Sequence, residues 1–230
     1  ETRIEVLERQ EARMACSCYA GGNTADQHFN AEKVAKELRR YRRKGPGPTT
    51  RALRDGFASI GLRQGTVLDI GGGFGILSLE LLDAGFSRAV VVEASSAYLA
   101  AASEEAVRRG RSASTDLVHG DFVAVASQLA PATAVTLDRV VCCYPFYERL
   151  LEQALRLAEH SVALSYPRDR WFVRLGIWLE NALRRRRGNP FRTFVHPPLE
   201  MMRMIERAGF TLASRRRTLS WSSDVFVKPS

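Results

Sequence analysis

The chain has 230 residues, 45% of them apolar, and a formal net charge of +9. This length and apolar content are sufficient for one complete α/β core. Because the sequence contains no run of about 18 uncharged apolar residues and no secretory pattern, we expect a soluble, cytoplasmic protein. The four cysteines are too few and too irregularly spaced for a disulfide scaffold, which agrees with a reducing compartment.

The positive charge comes almost entirely from arginine, since only four of the 34 basic residues are lysine. A GC-rich genome produces such a bias without selection for function. The arginines concentrate in three clusters at the ends of predicted elements, where solvated charge is normal. The clusters are residues 39–44, 184–187 and 215–217. The charge therefore keeps a polyanionic partner, RNA or an anionic membrane, open as an alternative.

The first 60 residues are predicted to be mainly helical. Residues 1–14 have a polar helical pattern, and residues 16–24 form a loop of small residues. A basic helix is predicted from Ala31 to Lys44, where Gly-Pro-Gly-Pro ends it, and another from Thr49 to about Ile60. We expect residues 1–60 to form a helical cap and residues 61–230 to form the main domain.

From residue 66 the sequence alternates short apolar strands with helices. The predicted strands are 67–70, 89–92, 116–118, 137–142 and 161–165, and the helices between them are 75–84, 96–109 and 147–158. This alternation predicts a doubly wound, mostly parallel α/β sheet. Residues 211–218 and 224–227 predict a terminal antiparallel hairpin.

Residues 170–183 form a further predicted helix with large apolar side chains at helical intervals. The residues on its apolar stripe are Trp171, Leu175, Trp178, Leu179 and Ala182. The simplest interpretation is a crossover helix that packs on the sheet. Two alternatives stay open: a wall for a hydrophobic substrate, and a membrane-surface helix whose arginines face anionic lipid.

The most informative stretch is residues 67–75, Val-Leu-Asp-Ile-Gly-Gly-Gly-Phe-Gly. A buried strand ends near an acidic residue and breaks into glycines that open a helix. Without Cβ atoms, backbone N–H groups can approach a nucleotide-like ligand, and Asp69 supplies a fixed carboxylate. A dinucleotide site would need its third glycine at the position of Ile76. The glycines of this motif are instead Gly71, Gly73 and Gly75.

Two further acids follow later strands. Glu93 ends the second strand, 18 residues after Gly75, where a carboxylate can accept hydrogen bonds from both ribose hydroxyls, and Ala94 follows it in the same turn. Asp121 follows the third strand. A single acid in such a place is more often a helix cap, but three in order at strand ends indicate one ligand site.

The pattern Asp-x-Gly-x-Gly-x-Gly from Asp69 to Gly75 resembles the first motif of class I S-adenosylmethionine-dependent methyltransferases. The segment Gly120-Asp121-Phe122 resembles the adenine-edge motif of that family. The resemblance, which covers residues 65–166 by motif, implies a seven-stranded Rossmann-like sheet and S-adenosyl-L-methionine as cofactor. It also implies that Asp121 accepts from the adenine amine and that Phe122 offers a backbone N–H or ring contact. In outline the core resembles methyltransferases of quinone and porphyrin biosynthesis.

The resemblance implies roles for other residues too. N-terminal extensions in such families often close over the cofactor, which makes Tyr41, Arg42 and Thr50 candidates for contacting the methionyl carboxylate; a cap that serves stability alone is an equal alternative. At the end of the fourth strand, the backbone near Cys143 would hold the cofactor's amino group, and Tyr144 would face the acceptor.

The same segment bears on the acceptor. Pro145 and Phe146 match the second half of the Asn/Asp-Pro-Pro-Tyr/Phe motif of enzymes that methylate planar nitrogens, but Cys143 supplies neither the amide nor the carboxylate of its first half. A cysteine at this place also resembles the nucleophile of cytosine-C5 methyltransferases. In those enzymes a proline precedes the cysteine, whereas here Pro145 follows Cys143. We therefore expect in-line methyl transfer to a small, apolar or aromatic molecule. An RNA methyltransferase and a non-catalytic cofactor-binding module stay open as alternatives.

Histidine is the candidate base if the acceptor is a hydroxyl or carboxyl group. His196, with His28 as a weaker choice, lies in a segment that can overhang the pocket. A zinc site at Cys16 and Cys18 with His28 would lack a fourth ligand, so no metal is predicted. The motifs of short-chain dehydrogenases, serine hydrolases and Walker nucleotide sites are absent from the sequence. The acceptor atom and the oligomeric state are not determined by it.

Overall fold

The computed structural model describes residues 28–229. The predicted helix 1–14 and the loop that contains Cys16 and Cys18 lie outside this range. In chain order the elements are α1 (Ala31–Lys44), α2 (Pro48–Ser59), β1 (Thr66–Ile70), α3 (Ile76–Asp83), β2 (Arg88–Glu93), α4 (Ser96–Arg108), β3 (Thr115–His119), α5 (Phe122–Val125), β4 (Ala132–Asp138), α6 (Tyr147–Leu157), β5 (Ala158–Pro167), α7 (Trp171–Arg186), α8 (Pro198–Arg207), β6 (Thr211–Arg217) and β7 (Trp221–Val227). Short 3-10 turns precede β3, follow α5 and follow β4.

The strands form one seven-stranded sheet in the order β3-β2-β1-β4-β5-β7-β6. Strands β1 to β5 pair in parallel, and β7 runs antiparallel to both β5 and β6. The predicted doubly wound sheet with a terminal antiparallel hairpin is therefore confirmed. Because the strand order reverses between β1 and β4, a crevice opens beyond the carboxyl ends of these two strands, where ligands bind in sheets of this type.

The predicted position of the fourth strand is wrong. The sequence indicated residues 137–142, whereas β4 spans Ala132–Asp138. Arg139 adopts a left-handed backbone conformation with φ 64°, and Val141–Cys143 then forms a 3-10 turn. An apolar run such as Val-Val-Cys-Cys is buried equally well in a turn and in a strand, so composition alone does not separate the two. The strand consequently ends in a carboxylate, Asp138, and not in a cysteine.

Helices α1 and α2 pack at different places on the core. Val34 and Leu38 of α1 are buried against Tyr98 and Ala101 of α4. In α2, the buried Leu53 and Phe57 belong to the apolar cluster that covers one face of the sheet. Both helices confirm the helical pattern predicted for residues 31–60.

The expected packing of residues 170–183 against the sheet is wrong. In α7 only Val173 is buried, while the side chains of Trp171 and Trp178 are 76% and 64% exposed. The physical reason is that α8 packs beside α6 in the large core cluster, where its Met201 and Ile205 are buried.

Within the part of the chain that the structure describes, no helix is long and apolar enough to cross a membrane.

A test of the packing of α2 is Gly56→Ala. In a free helix this change stabilises by up to about 1 kcal/mol, but a Cβ at Gly56 would lie 2.6 Å from Cγ2 of Val225 in β7. We therefore expect a net loss of about 1–3 kcal/mol in the free energy of unfolding, measured by urea denaturation. The matched control is Gly176→Ala in α7, where a Cβ meets no atom within 4 Å and stability should rise. Effects of the same sign at both positions would contradict this packing.

Candidate active site

The loop between β1 and α3 lies at the carboxyl edge of the sheet. Its backbone is fastened to β2, because the N–H of Gly71 donates to the carbonyl oxygen of Val92 at 2.7 Å. Gly71, Gly73 and Gly75 all have positive φ, between 58° and 72°, a conformation that strains other residues. Helix α3 follows with no side-chain cap at its N-terminus. Its first N–H groups and its helix dipole therefore favour a polar or anionic ligand here.

Asp69 lies beneath this loop and is almost completely buried. Its two carboxylate oxygens accept hydrogen bonds from Oγ of Ser78 at 2.7 Å and from Oγ1 of Thr136 at 2.6 Å. A Cβ at Gly72 would lie 2.8 Å from Oδ2 of Asp69, so the loop rests directly on this carboxylate. Burial raises the pKa of Asp69 to about 6. The structure thus bonds Asp69 within the protein and does not present it to a ligand.

Glu93 is at the end of β2, as predicted, and faces the glycine loop. Its Oε2 accepts from the N–H of Gly73 and its Oε1 from the N–H of Ser95, both at 2.9 Å. Burial raises the pKa of Glu93. Ala94, the next residue, is also buried, and its carbonyl oxygen lies 3.1 Å from Nε2 of His119. The Glu93 carboxylate and the glycine backbone therefore share one site.

Asp121 follows β3, and its carboxylate caps the short helix α5 by accepting from the N–H of Val123 at 2.9 Å. The hydroxyl of Tyr144 donates to the other oxygen of Asp121 at 3.1 Å. Tyr144 is 4% exposed, and burial raises its pKa, which keeps the hydroxyl protonated. The hydroxyl expected to face the acceptor is thus bonded to Asp121 in this structure. The ring of Phe122 is in the core, so only its backbone is available to a ligand.

Asp138 is a residue of this edge that sequence reasoning missed. Its carboxylate accepts from Oγ1 of Thr50 at 2.6 Å and from Oγ of Ser165 at 2.5 Å. Thr50 is thus brought to the site, but its hydroxyl is bonded to Asp138. The rule that found Asp69 and Glu93, an apolar strand followed by an acid, also applies to Leu137-Asp138; the misplaced end of the strand concealed it.

Helix α1 places one aromatic side chain, Tyr41, against the glycine loop. The ring of Tyr41 lies 5.8 Å from that of Phe74, which stacks on Tyr98 at 5.8 Å. Arg42 does not point toward this edge; its Nε donates to the buried carboxylate of Glu105 at 2.6 Å. Arg42 therefore fastens α1 to α4.

Beyond β4, residues 188–196 lie against the turn that follows this strand. The N–H of Phe194 donates to the carbonyl oxygen of Cys142 at 2.8 Å. The ring of His196 packs on Tyr147 at 4.5 Å, and its buried Nε2 has no hydrogen-bond partner among residues 28–229. Burial lowers the pKa of His196, so its imidazole is neutral at pH 7. The Cys143 side chain is half-buried.

His28 belongs to the same side of the site. Its imidazole stacks on Phe191 at 4.1 Å and meets Phe29 edge to face at 4.6 Å. Nε2 of His28 lies 3.0 Å from Nζ of Lys33. Burial, with the neighbouring positive charges, lowers the pKa of His28 to about 4. Among residues 28–229, no group of three or more histidine, cysteine or acidic side chains is arranged to hold a metal ion.

The sequence and the fold were compared with those of known proteins. Residues 67–161 match the family model of a methyltransferase domain. No curated protein matches the sequence. Among solved structures, the magnesium protoporphyrin IX methyltransferase of Synechocystis PCC 6803 with bound SAH has a TM-score of 0.69 at 18% identity, over 89% of this chain and 98% of that chain.

Two O-methyltransferases are also similar in structure. An O-methyltransferase family protein of Burkholderia thailandensis has a TM-score of 0.66 at 13% identity, over 92% of this chain and 62% of that chain. The family 2 O-methyltransferase of Planctomyces limnophilus DSM 3776, in complex with apigenin, has a TM-score of 0.63 at 15% identity, over 87% of this chain and 62% of that chain. At these identities the likeness establishes the fold.

The chain therefore contains a methyltransferase domain over residues 67–161, on a seven-stranded sheet that has the fold of the solved methyltransferases described above. The same Synechocystis enzyme has also been solved with bound SAM, at a TM-score of 0.63 and 16% identity over 100% of this chain and 99% of that chain. The fold by itself does not determine the methyl acceptor, since one fold carries many substrates.

The titration of Asp69 provides a test of its burial. Because the folded-state pKa is about 6 and that of the unfolded chain is about 3.9, the folded protein binds more protons between these pH values. The stability that this carboxyl group contributes is therefore complete below pH ~4 and declines as the pH rises to ~6. We expect the free energy of unfolding of the wild type, minus that of Asp69→Asn, to fall by about 1–3 kcal/mol over this range. Urea denaturation at stepped pH measures the difference, and a pH-independent difference would contradict the assignment.

Proposed function

We propose that this enzyme methylates a small, apolar or aromatic molecule. The observation that carries the proposal is the composition of the acceptor side. The partly buried Cys143 and Phe29 pack against the core cluster that contains Phe191, and the imidazole of His28 contacts the rings of both Phe29 and Phe191. Such a surface binds a flat apolar molecule through burial of ring area and stacking. It contains no asparagine or aspartate at the position of Cys143 that would hold the amino group of a nucleobase.

The residues at the carboxyl edge fit S-adenosyl-L-methionine. Glu93 is proposed to accept from the ribose hydroxyls, in exchange for its bond to the N–H of Gly73. Asp121 and the backbone of Phe122 are proposed to contact the adenine, and the backbone of Cys143 the amino group of the methionyl part. Gly73 has room for this approach, because even an added Cβ would meet only the ring of Tyr98, at 3.7 Å.

Two other acids are proposed to position this site without touching the cofactor. Asp69 fixes the glycine loop from below through Ser78 and Thr136. Asp138 ties the start of α2 to the end of β4 through Thr50. Tyr41 is proposed to cover the methionyl end of the cofactor, in an aromatic layer that it forms with Phe74 and Tyr98. In this proposal residues 31–59 act as a cap over the domain that follows.

When bound, the cofactor supplies a methyl group on a positively charged sulfur, and the reaction is an in-line displacement. The protein's part is to align the acceptor and to exclude water while charge is neutralised. The aromatic layer formed by Tyr41, Phe74 and Tyr98 excludes water on one side.

On the other side of the site, His196 packs on Tyr147 of the core cluster and its buried Nε2 has no hydrogen-bond partner among the described residues, so it is our candidate for accepting a proton from a hydroxyl or carboxyl acceptor. Both ring nitrogens of His28 already face donors, Nζ of Lys33 and Nδ2 of Asn189, which makes His28 the weaker choice.

Similar enzymes support an aromatic acceptor. One solved relative is named for magnesium protoporphyrin IX, and another is in complex with apigenin; both compounds are planar ring systems. The RNA alternative has less support, because one arginine of each cluster forms an ion pair with an acid of this chain. These pairs are Arg42 with Glu105, Arg184 with Glu180 and Arg215 with Asp224. Those arginines are less available to RNA phosphates.

Glu93→Ala tests the cofactor assignment. Because a hydrogen bond to a charged group contributes about 1.5–3 kcal/mol, S-adenosyl-L-methionine should bind about 10- to 100-fold more weakly. Isothermal titration calorimetry measures the change, and thermal unfolding verifies that the variant is folded. The control is Asp116→Ala in β3, an exposed carboxylate that pairs with Arg88 and should leave the affinity unchanged. A folded Glu93→Ala variant with wild-type affinity would refute the role.

The acceptor class is tested with labelled cofactor. The enzyme is incubated with methyl-labelled S-adenosyl-L-methionine and either a small-molecule extract or an RNA fraction, and the products are identified by mass spectrometry. We expect label in an organic-soluble molecule and none in RNA. Label in RNA that ribonuclease removes, together with RNA binding that weakens steeply with salt, would establish the RNA alternative instead. Cofactor binding without labelled product in either fraction would favour the non-catalytic module.

A further inference from the structure

Helix α7 exposes a continuous stripe of large apolar side chains. In the structure this exposed apolar stripe consists of Trp171, Leu175, Trp178, Leu179 and Leu183; Leu183 takes the place of Ala182 in the predicted stripe. Their spacing of three and four residues places them on one side of the helix. Exposed apolar side chains are ordinary when single, but a contiguous patch of this kind marks an interaction surface.

Arginines flank the stripe at both ends. The segment 168–187 contains seven arginines and only two acids. The two acids are already used, because Asp169 pairs with Arg174 and Glu180 with Arg184. Arg170 and residues 185–187 form no ion pair within residues 28–229. The surface of α7 therefore combines apolar area with uncompensated positive charge.

A cavity of about 220 Å³ lies at the first turn of α7. Three arginines line it, Arg168, Arg170 and Arg217, together with Asp169. Arg168 also donates to the carbonyl oxygen of Thr218 at 2.9 Å, which holds the turn between β6 and β7 beside the start of the helix. That turn carries a further exposed apolar side chain, Leu219. The basic and apolar character of α7 thus extends onto the neighbouring hairpin.

We propose that α7 docks this enzyme on an anionic lipid surface. The helix lies in the plane of the interface, with the apolar stripe among the acyl chains and the flanking arginines on lipid phosphates. Tryptophan and leucine on one face with arginine at the borders is the pattern of helices that lie in membrane interfaces. The arginine-lined cavity accommodates one phosphate group at the end of the stripe.

Charge favours lipid over the other occupants. In a symmetric dimer through α7 the same patch would meet itself, so the unpaired arginines of one copy would face those of the other. RNA would neutralise the arginines but leave the tryptophans in water. An anionic bilayer covers the apolar area and neutralises the charge in one contact.

If the proposed function holds, docking through α7 also brings the acceptor side of the site near the bilayer. Nδ2 of Asn181 donates to the carbonyl oxygen of Thr193 at 2.7 Å, and the neighbouring Phe194 is bonded to Cys142. Helix α7 is therefore connected directly to the acceptor side of the site. An apolar acceptor dissolved in the bilayer would reach the enzyme from this side. The docking itself does not depend on the identity of the acceptor.

Co-sedimentation of the full chain with vesicles tests the proposal. Vesicles of phosphatidylcholine alone are compared with vesicles that contain about one third phosphatidylglycerol. We expect at least about 10-fold stronger partitioning to the anionic vesicles, weakened by added salt. Trp171→Ser combined with Trp178→Ser, and separately the triple change of Arg185, Arg186 and Arg187 to glutamine, should each reduce partitioning at least about 10-fold.

Matched controls come from surfaces on other helices. Val107→Ser removes a side chain that is 66% exposed at the end of α4. The triple change of the exposed Arg39, Arg40 and Arg43 to glutamine removes the same charge from α1. Both controls should retain wild-type partitioning within about twofold, since surface substitutions away from a binding face have small effects. Circular dichroism and cofactor affinity verify that every variant is folded.

Three results would overturn the proposal. The first is a wild-type chain that stays in the supernatant with anionic vesicles. The second is a tryptophan variant that sediments like the wild type, or an α1 variant that loses as much binding as the α7 variant, since binding would then be general electrostatics. The third is a dimer in analytical ultracentrifugation that the Trp178→Ser change dissociates while vesicles bind neither form. None of these results bears on methyl transfer, so the proposed function is tested separately.

Discussion

The buried carboxylate of Asp69 is the contact on which the site depends. It joins three elements, because it lies in β1 and accepts from Ser78 in α3 and from Thr136 in β4. A charged or polar group at this depth is costly unless its hydrogen bonds are made, and here both oxygens have partners. Gly72 lies against this carboxylate, where a side chain would not fit. The glycine loop is consequently held in one conformation above a polar contact in the core.

The other acids at the carboxyl edge follow the same principle. Glu93 binds the backbone of the glycine loop, Asp121 caps α5 and accepts from Tyr144, and Asp138 fastens α2. Each carboxylate thus has donors within the protein before any ligand arrives. A ligand that donates to one of these carboxylates would replace a hydrogen bond that the protein already makes. No buried charge is therefore left without a partner when the ligand is absent. The site is preorganised by the groups that the ligand will meet.

Helices α1 and α7 have the same kind of sequence pattern, but the apolar side is buried in α1 and exposed in α7. Both carry an apolar stripe and a basic C-terminal turn. In α1 the stripe is buried against α4, and aromatic residues extend the contact over the glycine loop. In α7 the stripe faces outward because α8 packs beside α6 in the core. The first helix covers part of the glycine loop, and the second leaves the surface that we assign to lipid.

The sequence by itself determined the sheet class, the glycine loop and the acids at Asp69, Glu93 and Asp121, because period, glycine spacing and strand ends are local properties of the chain. It also determined the helices of residues 31–60. Tertiary structure decided the end of β4 at Asp138, the inward orientation of Tyr144, the pairing of Arg42 with Glu105 and the exposure of α7. A local pattern shows that a side chain prefers burial or a charged partner, but the elements packed around it decide whether either is supplied.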